Sequence, residues 1–332
     1  MDTTVPRCTK RKEVIQLLTD RGADIEARDN SSRTPLSHAA SGRRKFDDIT
    51  QLLPDCGAVV GACNDLGWTP LSHFLLEGSR NCVQLLLDRG AEIGTRDDDG
   101  WTPLSYAVLE RSIDIAQLLL DHGAEIEARD CIGRTPLSHA LEYDHLDVVQ
   151  LLLDRGAEIE TRDDTGQTPL SNAAERGDTD FLELLLERGA EIETRDDDGL
   201  TPLSYAVLGE REGVVQLLLD GGAEIETRDD DGRTPLSYAA LEGFGGVFWL
   251  LLDRGAEIET RDDTGQTPLS NAAERGDINV VRLLLDRGAE MKTRDDGGRT
   301  PLSYAMLEGF IGVVRLLLDR GAETETRDDT TF

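Results

Sequence analysis

The sequence predicts an all-α chain: a solenoid of stacked helix pairs whose connecting fingers, hairpins or loops, project from the stack. Three observations predict it. The tetrapeptide Thr-Pro-Leu-Ser recurs nine times, beginning at Thr34, Thr69, Thr102, Thr135, Thr168, Thr201, Thr234, Thr267 and Thr300, with a first step of 35 residues and every later step of 33. A Gly-Ala pair recurs in register ten times, from Gly22-Ala23 to Gly321-Ala322. Residues 163–178 and 262–277 are identical, and units three apart also match at SYAV, SYAV and SYAM from Ser105, Ser204 and Ser303, so they read as duplicated blocks. A period of this length marks a repeat architecture, in which each unit buries one face and its neighbours supply the rest of the core.

The elements of one unit follow in chain order. Thr168 is placed to cap a helix with its hydroxyl, and Pro169 suits the first turn, where a missing N–H costs nothing. A short helix follows through Leu170, Ala173 and Ala174, whose alanines permit close stacking, and Gly177-Asp178 ends it. A second helix runs through Phe181-Leu182 and Leu184-Leu185-Leu186, with Gly189 as its left-handed terminator and Arg188 near the negative end of its dipole. The stretch AEIETRDDDG alternates and then turns, which predicts an extended hairpin leading into the next unit.

The pattern D-x-x-G-x-T-P-L-x-x-A-A…V-V-x-L-L-L-x-x-G-A at this period resembles the ankyrin repeat family. The resemblance covers nearly the whole chain. It divides the chain into an N-terminal half repeat (1–28, with a helix over about 10–20), nine repeats and a tail at 328–332. The repeats span 29–63, 64–96, 97–129, 130–162, 163–195, 196–228, 229–261, 262–294 and 295–327. It implies helix pairs with hairpins at right angles, a concave inner face, and protein recognition without catalysis. Two positions depart from the family pattern. Serine follows Thr-Pro-Leu in all nine repeats where histidine is usual. Glu26, Glu127, Glu160, Glu193, Glu226, Glu259 and Glu325 stand where asparagine is common in the finger. The repeat at 29–63 is irregular, with two extra residues around Arg43-Arg44-Lys45 and Pro54 in its leucine triplet, and fraying is expected there.

Composition bounds the partners. The 332 residues carry 35 Lys+Arg against 66 Asp+Glu, a formal net charge of −31. Such a chain repels phosphate, which excludes nucleic acid and disfavours an anionic membrane. No apolar run is long enough to span a bilayer, the first residues lack the apolar core of a signal peptide, and the five cysteines are scattered with no CxxC pair. Together these predict free thiols and a soluble protein of the cytoplasm or nucleus. The natural partner is a protein with a basic segment. An alternative expectation is a regulatory or sensing segment of a larger multidomain protein, since the last unit repeats the internal apolar pattern without polar replacement.

No catalytic, cofactor or metal constellation departs from the repeat. His38, His73 and His139 share one position with Tyr and Asn of other units and read as scaffold, His122 reads as a helix-end group, and His145 as a lone loop residue. Asp97-Asp98-Asp99-Gly100 lacks the acidic twelfth ligand of a calcium loop, because that place holds Val108. These carboxylates read instead as solvated fingertips, the first Asp closing the turn, with an Arg–Asp ladder running from Arg96, Arg162, Arg195, Arg228, Arg261 and Arg294.

Positions that vary between repeats are free for recognition. The residue before each Thr-Pro reads Arg33, Trp68, Trp101, Arg134, Gln167, Leu200, Arg233, Gln266 and Arg299. Trp68 and Trp101 break the polar habit, and the resemblance places them on the concave face. Leu76, Tyr106 and Leu109 share their side of the first helices, and the acidic tip Asp97, Asp98 and Asp99 is adjacent. These residues, with Leu200, form the candidate partner site, an aromatic anchor of the kind enriched at binding hot spots. Trp249, in a series of Gln, Glu and Arg on the second helices, reads as a cover for Phe244 and Phe248.

Overall fold

The computed structural model describes residues 7–41 and 47–323. The insertion at Arg43-Arg44-Lys45, Glu325, the end of the last repeat at Arg327 and the tail 328–332 lie outside them, as do the side chains of Cys8 and Lys10-Arg11-Lys12. Among the described residues nineteen helices run from Arg7–Asp20 to Ile311–Asp319. The first is alone and the rest are pairs, a short helix such as Pro103–Leu109 followed by a nine-residue one such as Ile113–Asp121. Contacts gather the chain into two compact units, 1–164 and 165–332, and in each of them neighbouring pairs pack in tandem.

Local chemistry explains each helix end. In all nine repeats the Thr Oγ1 accepts the N–H of the Ser three residues on, at 3.3–3.4 Å. The two hydroxyls also lie within 3.1–3.3 Å of each other, which gives the invariant serine its role. Cap and first-turn proline leave little of the helix start unsatisfied. The Gly-Ala pair closes the second helix. Gly123 sits at φ +87° and donates to Leu120 O at 3.0 Å, while Ala124 donates to Leu119 O at 3.0 Å. That double closure needs a residue tolerant of positive φ. The same closure follows Pro54, which lies in the last turn of the helix Asp47–Asp55: Ala58 donates to Leu53 O at 2.9 Å.

The core lies between helix pairs. Ala107 and Ala140 in one unit and Ala206, Ala240 and Ala273 in the other are fully buried, as are Leu119, Leu152, Leu185 and Leu218. Alanine on the short helix is what lets neighbouring pairs approach this closely. In most repeats the second helix ends in an acid followed by arginine, as at Asp154-Arg155, Glu187-Arg188 and Asp253-Arg254. Arg155 meets Asp121 at 2.8 Å in the first unit, and Arg254 meets Asp220 at 2.9 Å in the second. Both partners are partly exposed, so each pair contributes only about 0–1 kcal/mol.

The fingers differ from the expected hairpin. Among the described residues they contain no β-strand. Each is a turn closed by its first Asp, or by Asn64 in one repeat: Asp97 Oδ1 accepts the N–H of Asp99 at 3.1 Å and of Trp101 at 2.8 Å. Gly100 completes the turn at φ +80°, and a Cβ there would meet the Cys131 nitrogen of the next finger at 2.9 Å. One backbone bond joins neighbouring fingers, such as Cys131 N–H to Asp99 O at 3.1 Å or Asp230 N–H to Asp198 O at 3.0 Å. With one bond per finger rather than a ladder, strand pairing never develops.

The arginine ladder also differs from expectation in its acceptors. Arg129 donates to Arg162 O at 2.5 Å, Arg195 to Arg228 O and Arg228 to Arg261 O at 2.6 Å, and Arg96 to Arg129 O. These arginines hold the next finger by its backbone carbonyl, not by its Asp, because that Asp is already committed to its own turn. The finger glutamates bridge in parallel. Glu127 accepts the Glu158 N–H at 2.8 Å, and Glu193, Glu226 and Glu259 repeat this with Glu224, Glu257 and Glu290 at 2.8 Å.

Candidate functional site

The site is built where a finger meets its short helix. The turn-closing Asp keeps its second oxygen for the residue nine positions on, at the middle of that helix. In the second unit Tyr205 donates to Asp196 Oδ2 at 2.5 Å and Tyr304 to Asp295 Oδ2 at 2.6 Å. Tyr106 makes the same bond to Asp97, and Tyr238 to Asp229. Burial and the neighbouring carboxylate raise these phenols, Tyr304 to about 12 and the others further. They are donors at every physiological pH, and they pin each finger to its helix.

In the first unit two tryptophans are added to this arrangement. The Trp68 ring packs edge-on to His73 with centroids 5.3 Å apart and to Tyr106 of the next repeat at 5.5 Å. Trp101 lies 5.6 Å from Tyr106 and 4.4 Å from His139 of the repeat after. The rings therefore form one continuous strip, His73–Trp68–Tyr106–Trp101–His139, crossing three repeats. Each tryptophan lies between the helix residue of its own repeat and that of the next, which is why one aromatic residue per repeat suffices to make it continuous.

The strip divides into buried and open members. Tyr106 is 6% exposed and His139 fully buried, so they back the strip, while Trp68 and Trp101 are half-buried and reach solvent. Leu76 and Leu109 are half-buried on the same short helices. Asp97 is half-buried and spent on its turn and on Tyr106, whereas Asp98 and Asp99 are exposed at the fingertip. Leu200 lies in the other unit and is half-buried. Trp249 is 49% exposed, with the Arg287 guanidinium 5.0 Å from its ring, while Phe248 is fully buried.

The histidines of the strip carry no charge at neutral pH. Burial holds His73 and His139 below the ordinary imidazole value, helped by Arg33 for His73 and by Arg134 for His139. His139 Nε2 lies 3.1 Å from Asp130 Oδ2, ion-pair distance without hydrogen-bond alignment, and His73 Nε2 is buried with no hydrogen-bond partner among the described residues. Two of the other three histidines hold backbone carbonyls. His122 Nδ1 donates to Leu118 O at 2.8 Å at its helix end, as its position implied. His145, which looked like a lone loop residue, donates to Val108 O of the preceding repeat at 2.9 Å.

Sequence reasoning missed two residues that extend the surface. Leu66 (59% exposed) and Ile132 (49% exposed) occupy the fingertip place that holds Ser31, Asp99, Thr165, Asp198, Asp231, Thr264 and Gly297 in other repeats. The same column-by-column comparison that exposed Trp68 and Trp101 would have found them two residues upstream.

Among the described residues no group of three or more His, Cys, Asp or Glu side chains is placed to hold a metal ion, and no helix is long and apolar enough to cross a membrane. A family model for ankyrin repeats, written for three copies, matches residues 43–130, 98–163, 128–196, 170–262 and 246–328. The chain belongs to the ankyrin repeat family. Ankyrin repeats are generally protein–protein interaction modules and generally non-catalytic. No curated protein matches the chain.

Proposed function

We propose that the chain is a non-catalytic protein-recognition module, acting inside the cell, that binds a partner with a basic segment on its concave face. Recognition centres on Trp68 and Trp101, with Leu76 and Leu109 beside them, Tyr106 as backing and the Asp97-Asp98-Asp99 finger as the acidic border. One observation carries the reading: two half-exposed indoles form a continuous aromatic strip at a position held by Arg, Gln or Leu in the seven other repeats. A scaffold role does not require tryptophan there, since seven repeats fold without it. Large aromatic side chains with a polar rim are the usual anchors of protein interfaces. The net charge of −31 steers a basic segment toward the fingers and away from nucleic acid or anionic membrane.

The test is retention of a partner from lysate on the immobilised chain, compared with the Trp68→Ala, Trp101→Ala double variant after circular dichroism has shown it folded. The reading expects roughly tenfold weaker retention or more by the double variant. Unchanged retention of every partner by the folded variant removes this surface from consideration.

A further inference from the structure

At three finger bases the turn carboxylate holds the repeat's own arginine. Arg299 Nε donates to Asp295 Oδ2 at 2.9 Å, the same oxygen takes the Tyr304 hydroxyl at 2.6 Å, and the guanidinium carbon lies 4.6 Å from the Tyr304 ring centroid. Arg33 donates to Asp29 Oδ2 at 3.0 Å, with His38 Nε2 2.9 Å from that oxygen. Arg134 donates to Asp130 Oδ2 at 3.2 Å, with His139 beside it. The parts are the same each time: the turn carboxylate's free oxygen, a ring nine residues on, and an arginine four residues on.

The repeat at 97–129 keeps the carboxylate and the ring but has no arginine. Trp101 stands in the arginine's place, and Asp97 Oδ2 takes the Tyr106 hydroxyl but, among the described residues, no guanidinium. The repeat with Leu200 also lacks arginine, yet there Asp196 is only 8% exposed, so its cradle is shut. Around Asp97 the cradle is open: Asp97 and both flanking tryptophans are half-exposed, with Asp98 and Asp99 exposed beside them.

We propose that this cradle takes an arginine side chain from the partner protein, its guanidinium stacked against Trp68 and Trp101 and hydrogen-bonded to Asp97 Oδ2. The inference rests on the reading of the aromatic strip as the binding surface, and it names what that surface selects. Guanidinium fits where ammonium does not. It is planar, weakly hydrated and carries donors in a fixed fork, so it stacks on an aromatic face while keeping a carboxylate bond. Lysine's compact, strongly hydrated charge gains from the acidic fingers but not from the flat indole faces. The chain's own Arg299, at once on a carboxylate and over a ring, is the intramolecular counterpart of the proposed contact.

The experiment uses the full chain carrying Trp249→Phe, so that fluorescence reports Trp68 and Trp101 alone. Two blocked peptides of equal charge, (Gly-Arg)3 and (Gly-Lys)3, are titrated at about 0.15 M salt, where long-range charge effects are screened. The arginine peptide is expected to change the emission and to bind roughly fivefold tighter than the lysine peptide or better. Asp97→Asn is expected to bring that ratio close to one. This variant keeps its turn, because Asn64 closes the preceding finger by accepting the N–H of Leu66 and Trp68 at 3.0 Å. Equal binding of both peptides at the strip overturns arginine selection and leaves the binding surface standing. An arginine preference that survives Asp97→Asn also overturns it, because the guanidinium is then held elsewhere. Silence with both peptides overturns it as well, and partner retention by the Trp68→Ala, Trp101→Ala variant then decides separately whether the surface itself stands.

Discussion

The two units of this chain share a scaffold and differ in what they display. At the place before Thr-Pro the unit at 1–164 carries Arg33, Trp68, Trp101 and Arg134, and the one at 165–332 carries Gln167, Leu200, Arg233, Gln266 and Arg299. Nine positions on from the finger Asp or Asn, the first unit holds histidine in three of its repeats where the second holds only Tyr and Asn. Fingertips differ likewise, with exposed Leu66 and Ile132 in the first unit against Asp, Thr and Gly in the second. Yet the caps and the Gly-Ala closures are the same in both. The difference teaches that the backbone of a repeat is fixed by a few local bonds, and that the columns those bonds leave free can change character from one unit to the other.

The largest expected effect tests the shared part. Leu86→Ala in the first unit and Leu185→Ala in the second remove equivalent side chains that are fully buried. Each is expected to destabilise the chain by about 2–5 kcal/mol in urea denaturation, felt mainly by its own unit. A cost in one unit and none in the other would break the claim of a common scaffold.

The next effect sharpens the difference at the finger base. Tyr205→Phe leaves a buried Asp196 oxygen without its donor, and a cost of about 1.5–3 kcal/mol is expected. Tyr106→Phe is expected to cost less, because Asp97 is half-exposed and water replaces the lost hydroxyl. Paired urea titrations check the order. A larger loss at Tyr106 would mean that the cradle at Asp97 is shut.

A smaller effect separates the units by pH. Burial raises the carboxyls of Glu193, Glu226 and Glu259 above their ordinary 4.5. A raised carboxyl binds its proton more readily when folded, so its stabilising effect is full below 4.5 and is lost as pH rises through the raised value. Burial lowers His73 and His139 below 6.5, so each gives stability that is present above 6.5 and is lost as pH falls toward the lowered value. Glu127 in the first unit behaves like the other glutamates, against the two histidines. Amide exchange followed from pH 7.5 to about 5 is expected to show protection rising in the 165–332 unit and rising less, or falling, around residues 68–139. Equal slopes in both units would contradict the burial of the two imidazoles.

What was legible in the sequence follows the range of the interactions. Thr102 to Ser105, Gly123-Ala124 to the preceding leucines, and Asp97 to its own turn are bonds within a few residues, and the sequence pattern exposes them directly. The acceptors of the arginine ladder were not legible. Arg96 has Asp97 next to it in sequence, and only the commitment of the finger carboxylates to their own turns leaves the next finger's carbonyl as its partner. The absence of strands was hidden for a related reason: an alternating stretch ending in a turn reads as a hairpin, and the one-bond spacing between neighbouring fingers is a tertiary fact. The tie from His145 to Val108 spans 37 residues and leaves no pattern. At the candidate site the tryptophans were visible as breaks in a column, but Tyr106 was not separable from them, because its burial depends on Trp68 in one repeat and Trp101 in another. Leu200 broke the same column and lies in the other unit, so a departure from the pattern finds candidates and geometry selects among them.

The most direct test of the central claim places a photo-crosslinking residue at one fingertip in each unit. Asp98→p-benzoylphenylalanine and Asp197→p-benzoylphenylalanine alter exposed, equivalent fingertip positions. Each full-length variant is irradiated with the retained partner, and the crosslinked peptides are sequenced. Crosslinks from position 98 to an arginine-bearing segment, with few or none from position 197, are the predicted result. Crosslinks from 197 with none from 98 would place recognition on the other unit and contradict the account.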